Sequence, residues 1–211
     1  MFYKFIMLLA LIGLNSHASI STAKTIHASR GSVITKYKSM VLELVDAGFH
    51  FSAIPWMKEY LTRSNKKFDS KLERAFEELV AVVGPRQFET LPLRSLKTQK
   101  SNSLYYIIAK KSMRAGKYKS AINYAKSINP NHPVRPFASN LLGAASANLG
   151  RYETSLSYFQ ECQRLSESMQ SKARSELVKN QLKTNHDYCL LGEARSLFAS
   201  KKYKEAELKY L

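Results

Sequence analysis

The stretch GKYKSAI at residues 116–122 decides the fold, because it returns as GRYETSL at residues 150–156. Glycine, tyrosine, a small residue and an aliphatic residue keep their places at a spacing of 34 residues. A third version of the phrase, KKYKEA, begins at Lys201. Self-similarity at a fixed period of about 20 to 50 residues is typical of stacked-repeat proteins. The chain is therefore predicted to consist of repeated helical units.

The repeated phrase and its surroundings resemble the tetratricopeptide repeat family, whose unit is a pair of antiparallel helices. By this resemblance residues 102–169 form two units, and residues 187–211 form a third that is incomplete at its C-terminal end. The fold implied is an all-α, right-handed superhelical solenoid of helix pairs, in which small residues let helix axes approach closely. The residues that match the family's core positions are Tyr105, Ile108, Ala109, Tyr118, Ala121, Leu142, Gly143, Tyr152, Phe159, Ala194, Tyr203 and Ala206.

The same period, followed towards the N-terminus, predicts degenerate helical pairs over residues 34–101. Gly48 is expected at the turn of the first pair. The second pair is weaker, because Gly84-Pro85 and Leu91-Pro92 disfavour a regular second helix.

One interval breaks the period. Residues 151–191 contain neither glycine nor proline, and their apolar residues keep a helical spacing. We therefore expect one extended helix near 153–182, with residues 170–186 as its extension and a turn. The sequence TNHD at 184–187 would form that turn and cap the next helix.

The N-terminus has the three parts of a secretory signal peptide. Lys4 supplies a positive charge, an apolar run of ten follows at residues 5–14, and small residues precede a cut after Ala18. An alternative cut follows Ala23, and residues 19–33 are predicted to be a flexible linker. The chain is therefore expected to be exported, either periplasmic or secreted, with no transmembrane segment after signal removal.

The sequence offers no motif for catalysis, a cofactor or a metal, so the protein is not expected to be an enzyme. Its histidines are scattered, and Glu73, Glu77 and Glu78 are expected on a solvated helix face. Cys162 and Cys189 are expected to be buried as small apolar residues, although an oxidising compartment also allows a disulfide between them.

Charge is one-sided. The chain carries 33 Lys and Arg against 16 Asp and Glu, and residues 90–152 contain no acid at all. Such a segment attracts anionic partners, although solvated lysines in a basic protein explain it equally well. The basic patch predicted here comprises Arg94, Lys97, Lys100, Lys111, Lys117 and Lys119.

The resemblance also implies a concave groove lined by the first helix of each unit. The residues at its positions are Tyr106, Lys110, Met113, Arg114, Phe137, Asn140, Ala144, Asn148, Tyr188, Leu191, Arg195 and Phe198. Lys110 and Arg114 lie four apart on one face, beside Tyr106, and are expected to hold a carboxylate. The family's clamp for two carboxylates requires a residue set that this chain does not match.

These observations predict an exported scaffold that binds a protein or extended peptide, possibly acidic, in cell-envelope assembly or secretion. Two alternatives stay open: a basic helical module that binds an anionic envelope polymer or lipid, and an accessory helical domain of a longer protein. Nucleic acid is disfavoured as a partner by the signal peptide.

Overall fold

The computed structural model describes residues 32–64, 68–91, 101–173 and 175–210, and every regular element in these ranges is a helix. The helices are α1 (residues 32–46), α2 (His50–Arg63), α3 (Ser70–Val83), α4 (Asn102–Arg114), α5 (Tyr118–Lys126), α6 (Arg135–Asn148), α7 (Tyr152–Gln170), α8 (Glu176–Ala199) and α9 (Tyr203–Tyr210). A 3-10 turn, Pro85–Phe88, follows α3. The prediction of an all-α fold is confirmed.

Several predicted features lie outside the described residues. They are the signal peptide at residues 1–18, the alternative cut after residue 23, the linker up to residue 31, and the basic residues Arg94, Lys97 and Lys100. The last two residues of the predicted linker, 32 and 33, belong to α1.

The helix pairs share one turn. Gly48, Gly116 and Gly150 have φ angles of 78°, 69° and 71°, and Lys201 takes the same place in the last pair with φ 65°. At each turn this residue's N–H bonds three residues back and the next N–H bonds five residues back, at 2.8–3.0 Å. This is the Schellman pattern, in which glycine is favoured because it has no Cβ. The repeated sequence phrase therefore encodes a repeated helix stop, in which Lys201 stands in for glycine.

Successive pairs stack into one array. Helix α4 packs on α5, α6 on α7 and α8 on α9, while α4, α6 and α8 also contact one another in sequence order. A continuous apolar core runs from α1 to α6. Phe76 on α3 meets Phe88 edge to face, with ring centroids 5.0 Å apart, which fixes the 3-10 turn against the array.

The prediction of one extended helix near 153–182 is wrong. Helix α7 ends at Gln170 and α8 begins at Glu176, so the predicted turn at residues 184–187 lies inside a helix. Asn185 is buried and donates from Nδ2 to the Ser166 Oγ of α7 at 3.1 Å, which replaces any capping role. The first part of α8 consequently runs back along the array to α3, where Gln181 contacts Gly84.

The expectation of two unpaired cysteines is also wrong. Cys162 of α7 and Cys189 of α8 form a disulfide with Cα atoms 6.2 Å apart, and neither residue is exposed. Beside it, the Phe159 ring lies between Gly143 and Gly192, where an added Cβ would come within 2.7 and 2.4 Å of the ring. Close helix approach and a covalent bridge therefore join the last two pairs.

One predicted core residue is not in the core. Tyr203 is 55% exposed and packs edge to face on Phe198, which is 60% exposed. The reason is that α9 packs on α8 through Ala206, and no described helix covers its outer face.

Candidate functional site

Two adjoining cavities lie between α4, α6 and α8, and together they are called the groove below. The first has a volume of about 240 Å³ and is lined by Tyr106, Lys110, Met113, Arg114, Phe137, Asn140 and Tyr188, with Pro85, Arg86, Leu141, Gln181 and Asn185. The second, of about 570 Å³, is lined by Asn140, Asn148, Tyr188 and Arg195, with Ala144, Ala147, Tyr152, Phe159, Leu191, Gly192, Ser196 and Ala199. The cavities share Asn140 and Tyr188, so they form one continuous surface.

The residues assigned to the groove from the sequence lie around these cavities, except Phe198, which lines neither one. Arg86, Gln181 and Asn185 were missed. They come from the 3-10 turn and from the first part of α8, and the repeat register assigns neither segment to the groove.

Tyr106 forms the floor of the first cavity. It is 5% exposed, and its ring lies edge to face against Phe137 with centroids 6.1 Å apart. Burial raises the pKa of the Tyr106 hydroxyl, and the Glu89 carboxylate raises it further. The hydroxyl is therefore neutral, and the floor presents an aromatic surface.

Lys110 and Arg114 are already occupied by an acid of this chain, contrary to the expectation that they wait for a ligand. The Lys110 ammonium bonds to one oxygen of Glu89, and Arg114 Nη2 donates to the other at 2.9 Å. The Glu89 side chain is only 12% exposed. Sequence reasoning missed it because the acid-free stretch begins at the next residue, Thr90.

Two other cations in the groove have no acidic partner among the described residues. Arg86 lines the first cavity and Arg195 lines the second, and both are exposed. Tyr188, on the shared wall, is 55% exposed. An aromatic ring and two unpaired guanidinium groups are thus open to a ligand.

The wall between the cavities is held by a buried amide. Asn140 Nδ2 donates to Asn185 Oδ1 at 2.9 Å, and Asn185 in turn donates to Ser166 and to the sulfur of Cys162, each at 3.1 Å. The disulfide therefore lies directly behind the groove wall.

Glu77 is not on a solvated face, as was expected. Its oxygens accept from Ser101 Oγ at 2.7 Å, from Ser103 N at 3.2 Å and from the Ser103 hydroxyl, and His132 Nε2 lies 3.0 Å away. The Val134 N–H donates to His132 Nδ1 at 3.2 Å, which leaves the ring proton on Nε2, pointing at Glu77. Burial opposes ionisation of Glu77, but these hydrogen bonds outweigh it and lower its pKa to about 2.

Glu193 anchors the last helix. It is 2% exposed, accepts from Gln160 at 3.0 Å and Gln163 at 2.8 Å, and pairs with Lys209 of α9 at 3.2 Å. Burial would raise its pKa, but the two glutamines and Lys209 lower it overall. Glu193 and Glu77 are therefore structural carboxylates outside the groove.

Of the predicted basic patch, Lys111, Lys117 and Lys119 are described, at the end of α4 and the start of α5. Lys117 and Lys119 are exposed and Lys111 is half-buried. In the part of the chain that the structure covers, no group of three His, Cys, Asp or Glu is placed to hold a metal. None of the described helices is long and apolar enough to cross a membrane.

The antiparallel pairs, the shared turn and the spacing of 34 residues identify the architecture. The chain has a tetratricopeptide-type repeat fold. No protein-family model and no curated protein matches it. Among solved structures, a mutant of MamA resembles it with a TM-score of 0.46 at 16% identity, over 84% of this chain and 93% of that one. A kinesin light chain protein of Podosopora anserina with nearly identical TPR-like repeats also reaches 0.46, at 11% identity, over 84% and 91%.

Proposed function

We propose that this protein is an exported helical-repeat scaffold that binds a protein or an extended peptide through the groove, in cell-envelope assembly or secretion. One observation carries the proposal: residues from three separate helices line two adjoining cavities whose shared wall exposes Tyr188. Concave sites with mostly apolar walls and a few placed polar groups are where proteins bind ligands.

The chemistry of the walls suits a peptide. Tyr188 and Phe137 offer apolar surface, and the amides of Asn140 and Asn148 can bond to a peptide backbone. The disulfide and the Phe159 packing hold the second cavity in one shape, and a preorganised site loses less free energy on binding.

Two independent observations support export. One is the three-part pattern at residues 1–18, and the other is the buried disulfide, a bond that is common in exported proteins and rare in the cytosol.

The test is affinity capture from the envelope fraction with the mature chain, washed at low and high salt. The groove variant is Tyr188→Ala with Arg195→Glu, and the control is Arg164→Glu, an exposed position on α7 that lines neither cavity. We expect a discrete protein that survives high salt, is lost with the groove variant and is kept with the control. Equal recovery by all three chains would refute binding through the groove.

A second candidate function rests on the exposed Lys117 and Lys119, outside the groove. These residues suit an anionic polymer or lipid surface, and such binding falls steeply with ionic strength. Vesicles containing phosphatidylglycerol would test it: salt-sensitive binding that is lost with Lys117→Glu and Lys119→Glu, but kept in the groove variant, would favour this function.

A further inference from the structure

The cations of the groove fall into two groups. Lys110 and Arg114 are paired with Glu89, whereas Arg86 and Arg195 have no acidic partner among the described residues. Since all four line the groove, an acidic ligand would meet two occupied positions and two open ones. This difference determines where a ligand can place its charges.

Glu89 competes with any ligand for the occupied pair. Each of its oxygens contacts one cation, and its side chain is 12% exposed, so it is partly desolvated already. The Lys110 ammonium also lies 5.9 Å from the centroid of the Tyr106 ring. A ligand carboxylate would have to displace Glu89 and would be repelled by it at short range.

The open cations lie on either side of an aromatic surface. Arg86 borders only the first cavity and Arg195 only the second, and the wall formed by Asn140 and Tyr188 separates them. Phe137 continues the apolar surface from that wall into the first cavity. No acid lines either cavity, so the groove presents an apolar centre flanked by positive charge.

We propose that the groove binds a peptide segment of another protein in which an apolar or aromatic centre is flanked by acidic side chains. The acids pair with Arg86 and Arg195, the apolar centre packs on Tyr188 and Phe137, and Glu89 is a specificity residue that excludes acids from Lys110 and Arg114. This inference rests on the proposed function, and it adds the chemistry and the placement of the ligand.

The probe is a displayed library of random peptides, selected on the mature wild-type chain. The tightest binder is then synthesised with a fluorophore, and its Kd is measured by fluorescence anisotropy. We expect selected peptides with acidic residues on both sides of an aromatic or aliphatic core. Arg86→Gln and Arg195→Gln should each weaken binding about tenfold, because each removes a charge-assisted hydrogen bond. Arg164→Gln is the control and should leave the Kd unchanged.

Glu89→Gln gives the decisive result, because it is expected to improve binding. Removing the internal competitor should tighten the Kd for the acidic peptide about fivefold, since a nearby like charge is lost. In a Lys110→Gln/Arg114→Gln background the same change should have no effect, because there is no cation left to release. A melting curve for each variant confirms that it is folded.

The outcomes separate the two proposals. If Glu89→Gln leaves the Kd unchanged or weakens it while Tyr188→Ala abolishes binding, the groove binds peptides but the ligand placement is wrong. If no peptide is selected, or if groove variants have no effect while inorganic polyphosphate binds, both proposals fail.

Discussion

The two cavities of the groove are built by opposite means. The first is bordered by polar side chains that satisfy one another: Glu89 with its two cations there, and Glu77 with its hydroxyl and imidazole partners behind α4. The second is held by apolar packing and a covalent bridge, with Phe159 between two glycines and the disulfide alongside.

The difference has a consequence for binding. A wall made from ion pairs spends its charges internally, so Lys110 and Arg114 are engaged before a ligand arrives. A wall made from apolar contacts and a disulfide leaves its surface charges unused, and Arg195 is exposed for that reason. The second cavity should therefore be the more rigid and the more available for recognition.

Removing Phe159 should break the second cavity with the largest loss of stability. We expect Phe159→Ala to lower the free energy of unfolding by about 4 kcal/mol, because a buried aromatic ring leaves a cavity between two closely spaced helices. Gly192→Ala should cost less, about 2 kcal/mol, through overpacking against the same ring. Urea denaturation measures both. A loss below about 1 kcal/mol for Phe159→Ala would show that the ring does not hold these helices together.

The disulfide should contribute nearly as much. With a sequence separation of 27 residues between the cysteines, Cys162→Ala/Cys189→Ala should lower the free energy of unfolding by about 3.5 kcal/mol, mainly by restoring entropy to the unfolded chain. Dithiothreitol should destabilise the wild type by a similar amount and leave the variant unchanged. An equal effect of the reductant on both chains would contradict this assignment.

At the first cavity, stability should depend on acid. The pKa of Glu77 is about 2 in the folded chain and about 4.3 when unfolded, so its contribution of about 3 kcal/mol is present above pH 4.3 and is lost as the pH falls towards 2. Glu77→Gln should cost about 2.5 kcal/mol at pH 7, and the difference from wild type should shrink towards pH 2. Glu78→Gln, one residue along, is the control and should cost less than about 1 kcal/mol, because its pair with His50 is exposed. A pH-independent cost for Glu77→Gln would contradict the network.

Much of the fold could be predicted, because the period of 34 residues marks a helix stop that glycine adopts more readily than other residues. Gly116 and Gly150 carry that signal locally, and Lys201 could be recognised only through its place in the repeat. The groove residues on α4 and α6 could be named because one register places them all.

The remaining features depend on contacts that a local pattern does not contain. Glu77 bonds to residues 24 to 55 positions away, and no spacing rule links them. The break at residues 171–175 has no glycine or proline, although Ser175 before the acidic Glu176 is a helix-start signal that could have been used. Asn185, with its capping type of side chain, was misread because its partners lie on α6 and α7.

The claim that the groove is the partner-binding surface can be tested most directly by photo-crosslinking at two matched tyrosines. Tyr188 and Tyr203 are each 55% exposed, but only Tyr188 lines the groove. A benzophenone side chain would replace each one in turn, followed by irradiation of the intact cells. We predict a discrete protein adduct from position 188 and none from position 203. Equal adducts from both positions, or an adduct from position 203 alone, would contradict the account.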